Sequence, residues 1–186
     1  AIPIIIGSIF VLSVCAMFFA VYYFSVIDTK TDLGFLKSFL RFNDSWGTHR
    51  GYMWIRSFWI FGDFSFYNKL FGSGPDTFAT VFEPYFEGLM HYGDSSTNCA
   101  HNEYINYLVT TGILGLASYL SILFGALKGA IKSAAKNPLA IIFAVSVISY
   151  AVQATVNLAQ PITTPLFIIF VSLCEAVSRQ QKAVNN

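Results

Sequence analysis

The chain has 186 residues, of which 55% are apolar, 17% aromatic and only 11% charged, with a formal net charge of +1. A soluble domain carries roughly a quarter charged residues, so this composition excludes an ordinary water-soluble globule, and it gives no basis for a nucleic-acid partner. The three cysteines, Cys15, Cys99 and Cys174, lie far apart and show no pairing pattern.

Residues 3–27 are almost uninterruptedly apolar, longer than the ~20 residues a membrane-spanning helix needs. No basic flank or small-residue cleavage site accompanies them, so they read as a span and not as a signal peptide. A chain that starts directly on such a span reads as the C-terminal part of a longer protein. Residues 28–103 are different in kind, holding six basic and nine acidic side chains and all three tryptophans. Short helices are predicted there over 33–42, 49–62 and 75–87, with Trp54, Phe58 and Phe61 recurring at helical spacing. The aromatic side chains either anchor this segment at the bilayer interface or do so and also offer a surface on which sugars stack.

A second span is predicted over 104–127, a third over 139–158 and a shorter fourth over 162–177, which opens with Pro161 and Pro165. Between the second and third, residues 128–138 carry Lys128, Lys132 and Lys136 with no acid. The tail, 179–186, carries Arg179 and Lys182. Basic residues mark the cytoplasmic side, which places 28–103 outside. The expected fold is therefore all-α: a polytopic membrane protein of about four transmembrane helices, one in 1–27 and three in 104–178, with a long extracytoplasmic helical loop.

Three constellations could carry chemistry. The sharpest runs from His101-Asn102 to Gly112 and Gly115. On one continuous helix His101, Ile105, Leu108, Gly112 and Gly115 form a stripe, with Asn102, Asn106 and Thr110 beside it. The two glycines would let another helix approach closely. With Asn98 as N-cap, His101 falls in the first turn, where the helix dipole disfavours imidazolium and a neutral ring can accept a proton. The alternative is a histidine that only anchors at the interface. The second constellation is Thr48-His49-Arg50-Gly51-Tyr52-Met53-Trp54, with Arg56 further along the same helix. Arginine recognises phosphate through two parallel donors, or it snorkels to lipid phosphates, a reading that suits Arg56 better than Arg50. The third is Leu70-Phe71-Gly72-Ser73-Gly74-Pro75-Asp76-Thr77-Phe78, which marks either a plain turn or a helix start whose free N–H groups hold an anion. His91, Cys99 and His101 do not match a zinc spacing, and no metal site is expected.

Together these features resemble the O-antigen ligase and O-antigen polymerase family of bacterial membrane proteins. The family pattern is an Arg before an aromatic-rich helix, a Leu/Pro-Phe-Gly-x-Gly stretch closed by Phe, and His-Asn followed nine residues later by Gly-x-x-Gly. Here these are Arg50 to Trp54, Leu70 to Phe78, and His101-Asn102 with Gly112 and Gly115. The resemblance implies glycosyl transfer from an undecaprenyl-diphosphate-linked glycan to a glycan, lipid or protein acceptor, outside the bacterial inner membrane and without cofactor or nucleotide sugar. It also implies that further N-terminal helices complete the protein. By position Arg50 matches the family's phosphate-binding Arg and His101 its essential His, both in catalytic roles. Arg56, Asn102, Gly72 and Gly74 are expected at the substrate, and Gly112 and Gly115 at a helix contact. Two rivals remain open. One is a transporter or flippase of lipid-linked glycans, its path lined by Gln153, Asn157 and Gln160. The other is a non-catalytic membrane assembly subunit.

Overall fold

The computed structural model describes residues 2–134 and 137–185, and every regular element among them is helical. The chain divides into two compact units, Ala1–Arg56 and Ser57–Asn186.

In the first unit α1 (Ile2–Tyr22) runs into one turn of π-helix, Tyr23–Ile27. A helix end leaves carbonyls without partners, and Arg41 supplies donors to this one. Its Nε donates to the Phe24 carbonyl at 3.1 Å, and its Nη2 to the carbonyls of Asp28 and Thr31 at 3.2 and 2.9 Å. Asp28 then turns the chain by accepting the N–H groups of Lys30 and Thr31 and the Thr31 hydroxyl. Those bonds, the Thr31 hydroxyl foremost, hold its carboxyl below the usual carboxylate range. A single turn, α2 (Lys37–Leu40), precedes α3 (Trp46–Asp63), which starts in this unit and ends in the second.

The second unit continues with α4 (Phe66–Phe71), capped by the Ser65 hydroxyl accepting the Asn68 N–H at 3.2 Å. Then come α5 (Phe78–Phe82), a 3-10 turn over Glu83–Tyr85 and α6 (Phe86–Met90). Phe78, Phe82 and Leu89 are fully buried, the first two stacked at 5.4 Å. Three longer helices, α7 (Glu103–Ala134), α8 (Leu139–Gln153) and α9 (Thr163–Asn185), pack on one another. Their shared interior combines small side chains, Ala126, Ala130, Ala140, Ala144 and Cys174, with larger ones, Tyr119, Leu123, Val147, Phe167 and Val177. Ile122, Phe124, Ile131, Ile142, Val145 and Ile168 point outward and are each more than half exposed. Alanines in a helix seam let backbones approach closely, and large apolar side chains left outside suit helices that pack in lipid.

Among the described helices, α7 is long and apolar enough to cross a bilayer by length and composition. At 15 residues α8 is about 22 Å long, short of the ~30 Å hydrocarbon thickness. Several expected boundaries move. The Lys-rich stretch predicted as a 128–138 loop is helical through Ala134, so Lys128 and Lys132 sit on the last turns of α7, where cations complement the helix dipole. Lys136 lies outside the described residues. The third predicted span ends five residues early, at Gln153, and the fourth runs on to Asn185. The 66–71 helix was not predicted, and its signal was the Ser65 cap.

Candidate functional site

The arginine motif lies in the first unit. Gly47, Thr48 and His49 all have positive φ, at 59°, 56° and 69°, so the regular part of α3 begins only at Arg50. For the branched Thr48 this is a strained conformation. The reversal folds the Asn43–Asp44 turn over the helix start. The Asp44 carbonyl accepts the Tyr52 N–H at 3.1 Å. A Cβ at position 51 would strike the Asn43 carbonyl, which explains Gly51. The two arginines then differ. Arg56 is paired with Asp44 (Nη1 to Oδ1, 2.5 Å) and its guanidinium carbon lies 4.0 Å from the centre of the Tyr52 ring. Arg50 donates Nη1 only to neutral acceptors, the Gly47 carbonyl at 2.8 Å and the Thr48 hydroxyl at 3.1 Å. Its Nε is buried without a hydrogen bond, and among the described residues no carboxylate pairs with it.

The two glycine motifs lie in the second unit and meet there. Gly112 has φ 70° and ψ −171°, a conformation nearly confined to glycine, and it breaks α7. A break frees the carbonyls of the preceding turn. The Gly72-Ser73-Gly74 loop supplies them with donors: Ser73 N–H to Val109 at 3.0 Å and Gly74 N–H to Thr110 at 2.9 Å. The Ser73 hydroxyl adds a bond to Val109 at 3.2 Å. A Cβ on Gly112 would collide with the Leu70 carbonyl and the Gly72 nitrogen, and one on Gly72 with the backbone of Thr110 and Thr111. Main chain therefore lies on main chain at this joint.

One expectation is corrected by this geometry, and another is given its partner. The N–H groups of Gly72, Ser73 and Gly74 are spent on the carbonyls of Asn68, Val109 and Thr110, so they form no cradle for an anion. The helix that approaches Gly112 closely is the short α4, with its loop. At Gly115 the nearest obstacle to a Cβ is the Thr111 side chain of α7 itself.

The head of α7 is also placed differently from expectation. The helix begins at Glu103, and its N-cap is Asn102, not Asn98: the Asn102 Oδ1 accepts the Ile105 N–H at 3.0 Å. His101 precedes the cap with φ 49°, outside the first turn, so the continuous stripe from His101 to Gly115 does not exist. Its flanks are pinned. The Ala100 N–H bonds Asn106 Oδ1 at 3.3 Å, and burial pushes up the thiol of Cys99 beside it. On the other side three donors reach the carbonyls at the end of α8: Asn102 Nδ2 to Thr155 at 2.8 Å, Glu103 N–H to Ala154 at 2.8 Å, and the Tyr104 hydroxyl to Ala151 at 2.7 Å. Asn102 thus spends its amide on α7 and on Thr155, leaving His101 as the residue this framework presents. Among the described residues no three His, Cys, Asp or Glu side chains converge to hold a metal ion.

Among the described residues the regular elements are all helical, α7 is long and apolar enough to cross a bilayer, and a His with positive φ stands just before it. Residues 2–120 match the family model of the O-antigen ligase, and the chain belongs to that family, the O-antigen ligase and polymerase type of bacterial inner-membrane proteins. The match takes in all three motifs and ends within α7. No curated protein and no solved structure matches the chain.

Proposed function

We propose that the chain belongs to a glycosyltransferase that moves a glycan from undecaprenyl diphosphate to an acceptor hydroxyl outside the cytoplasmic membrane, as a ligase or a surface-polysaccharide polymerase. The observation that carries this reading is the contrast between the two arginines. The charge of Arg56 is consumed by Asp44 and Tyr52, whereas Arg50 keeps an uncompensated charge and one buried N–H. A planar guanidinium in that state suits a diphosphate, and Arg56 serves to hold Arg50's helix to the Asn43–Asp44 turn.

In the reaction, His101 takes the proton of the acceptor hydroxyl as its oxygen attacks the anomeric carbon. The bond from that carbon to the diphosphate breaks, and Arg50 stabilises the charge that develops on the leaving group. Asn102 positions His101. Gly72 and Gly74 tie the loop to α7, while Gly112 permits the break they cap. Four membrane crossings, by α1, α7, α8 and α9, with 28–103 outside and the Lys-bearing end of α7 inside, fit the distribution of basic residues. A transporter is less well supported, because Asn157 and Gln160 lie in the connection between α8 and α9 and not along a helix.

Donor binding, turnover and membrane abundance of Arg50→Ala, Arg50→Lys and His101→Ala test the reading. Each loses about 2–4 kcal/mol of transition-state stabilisation, a hundredfold or more in rate. The Arg50 variants lose donor binding as well, and the His101 variant loses mainly turnover. Near-normal turnover of either alanine variant at normal abundance would refute it.

A further inference from the structure

The proposed reaction makes no use of Glu103, although its side chain is only 3% exposed at the head of an apolar helix. Its Oε2 accepts from the Tyr150 hydroxyl at 3.0 Å, and that hydroxyl lies 3.5 Å from the Thr164 Oγ1. Tyr119, 9% exposed, turns its hydroxyl to the same carboxylate but outside hydrogen-bond geometry, and that hydroxyl has no other partner among the described residues. No Lys, Arg or His of the described residues forms an ion pair with Glu103. Against these oxygens lies a cavity of about 270 Å³, lined by Glu103, Tyr107, Tyr119, Thr164, Phe167 and Ser172 along with apolar side chains of α7 and α9.

An ionised carboxylate enclosed in an apolar bundle needs a positive charge beside it. The oxygen groups at hand, one carboxylate with phenol and alcohol hydroxyls, are hard donors of the kind small hard cations take. A single carboxylate neutralises a single charge, so a divalent ion would leave the bundle charged. At roughly 30 Å³ per water the cavity has room for an ion with part of its hydration shell. The rings of Tyr107, Tyr119 and Phe167 present faces that attract cations.

We propose that this cavity binds one alkali cation paired with the Glu103 carboxylate. The titratable groups around it are Tyr104, Tyr107 and Tyr119 from α7 and Tyr150 from α8, while α9 contributes the hydroxyls of Thr164 and Ser172. Because the Glu103 N–H also holds the Ala154 carbonyl, an occupied site stiffens the junction of α7 with α8.

The test is the thermal unfolding midpoint of the full chain in lipid nanodiscs, with choline as the balancing cation. Raising sodium from about 1 to about 100 mM raises the wild-type midpoint by about 3–5 °C if an alkali ion is the occupant. Glu103→Gln, which keeps the shape of the side chain, abolishes the response, and Tyr119→Phe moves its half-point to about tenfold higher cation concentration. A flat wild-type sodium response, including one beside a midpoint that rises as the pH falls (a carboxyl that takes a proton instead), or a response retained in Glu103→Gln, would overturn the proposal. Should Glu103→Gln fail to fold, an unshifted half-point in Tyr119→Phe does so. Glycosyl transfer is not read in this experiment, so the site stands or falls apart from the roles of Arg50 and His101.

Discussion

The second unit packs its two halves by opposite rules. Between Ser57 and Asn102 the interior is built from large rings, Phe78 and Phe82 stacked with Leu89 nearby, as in a water-soluble core. In α7, α8 and α9 the interior sets four alanines beside Tyr119, Leu123 and Phe167, and many large apolar side chains face out. The difference is what a chain answering to two solvents would show. Where water surrounds a segment, burying a ring is favourable at about 25 cal/mol per Å². Where lipid does, a ring gains little by turning inward and small residues let backbones close up. The exposed rings of Phe66 and Tyr67 on α4, between the two regimes, have the character of an interfacial belt.

The largest effect is expected where the halves join. Gly112→Ala places a Cβ on backbone atoms in a conformation that excludes it, and stability falls by more than about 4 kcal/mol. Gly115→Ala meets the Oγ1 and Cβ of Thr111 and not main chain of another segment, so it costs less than Gly112→Ala. Thermal unfolding in nanodiscs measures both, and equal losses would undo the distinction between the two glycines.

The contrast in cores predicts a graded series by the same measurement. Phe82→Ala costs about 3–5 kcal/mol by opening a cavity. Ala130→Leu costs about 1–3 kcal/mol by overpacking. Ile131→Ala, one residue away but facing outward, stays within about 0.5 kcal/mol. A large loss at Ile131 with none at Ala130 would reverse the inside-out assignment of α7.

The smallest effect concerns the turn after α1. The folded carboxyl of Asp28 is held below its unfolded value, so what it contributes is present above the unfolded pKa and is lost as pH falls through the folded one. Thr31→Val removes the foremost cause, and the carboxyl then titrates closer to the usual carboxylate range, as followed by NMR. An unchanged titration would show that the Thr31 hydroxyl does not hold the charge.

Much of this was legible in the sequence. The helical class, the apolar segments and the three motifs stand out from composition and spacing alone. What was not legible depended on contacts far apart in the chain. Asn98 was the expected N-cap, whereas the cap is Asn102, whose amide also reaches Thr155, over fifty residues on. Gly112 reads as a flat packing surface or as a break, because glycine permits both, and its partner Gly72 lies forty residues earlier. Glu103 gave a faint signal, an acid opening an otherwise apolar helix. Its tyrosines come from α7 and from α8, which no local pattern connects.

The joint between the Gly72 loop and α7 has a consequence for time as well as for shape. Loop amides ordinarily exchange their hydrogens with water quickly, because little must open to expose them. Those of Ser73 and Gly74 are spent on carbonyls inside a broken helix, and they open only when the two segments part. They should therefore exchange on the slow clock of the bundle and report the life of the whole junction.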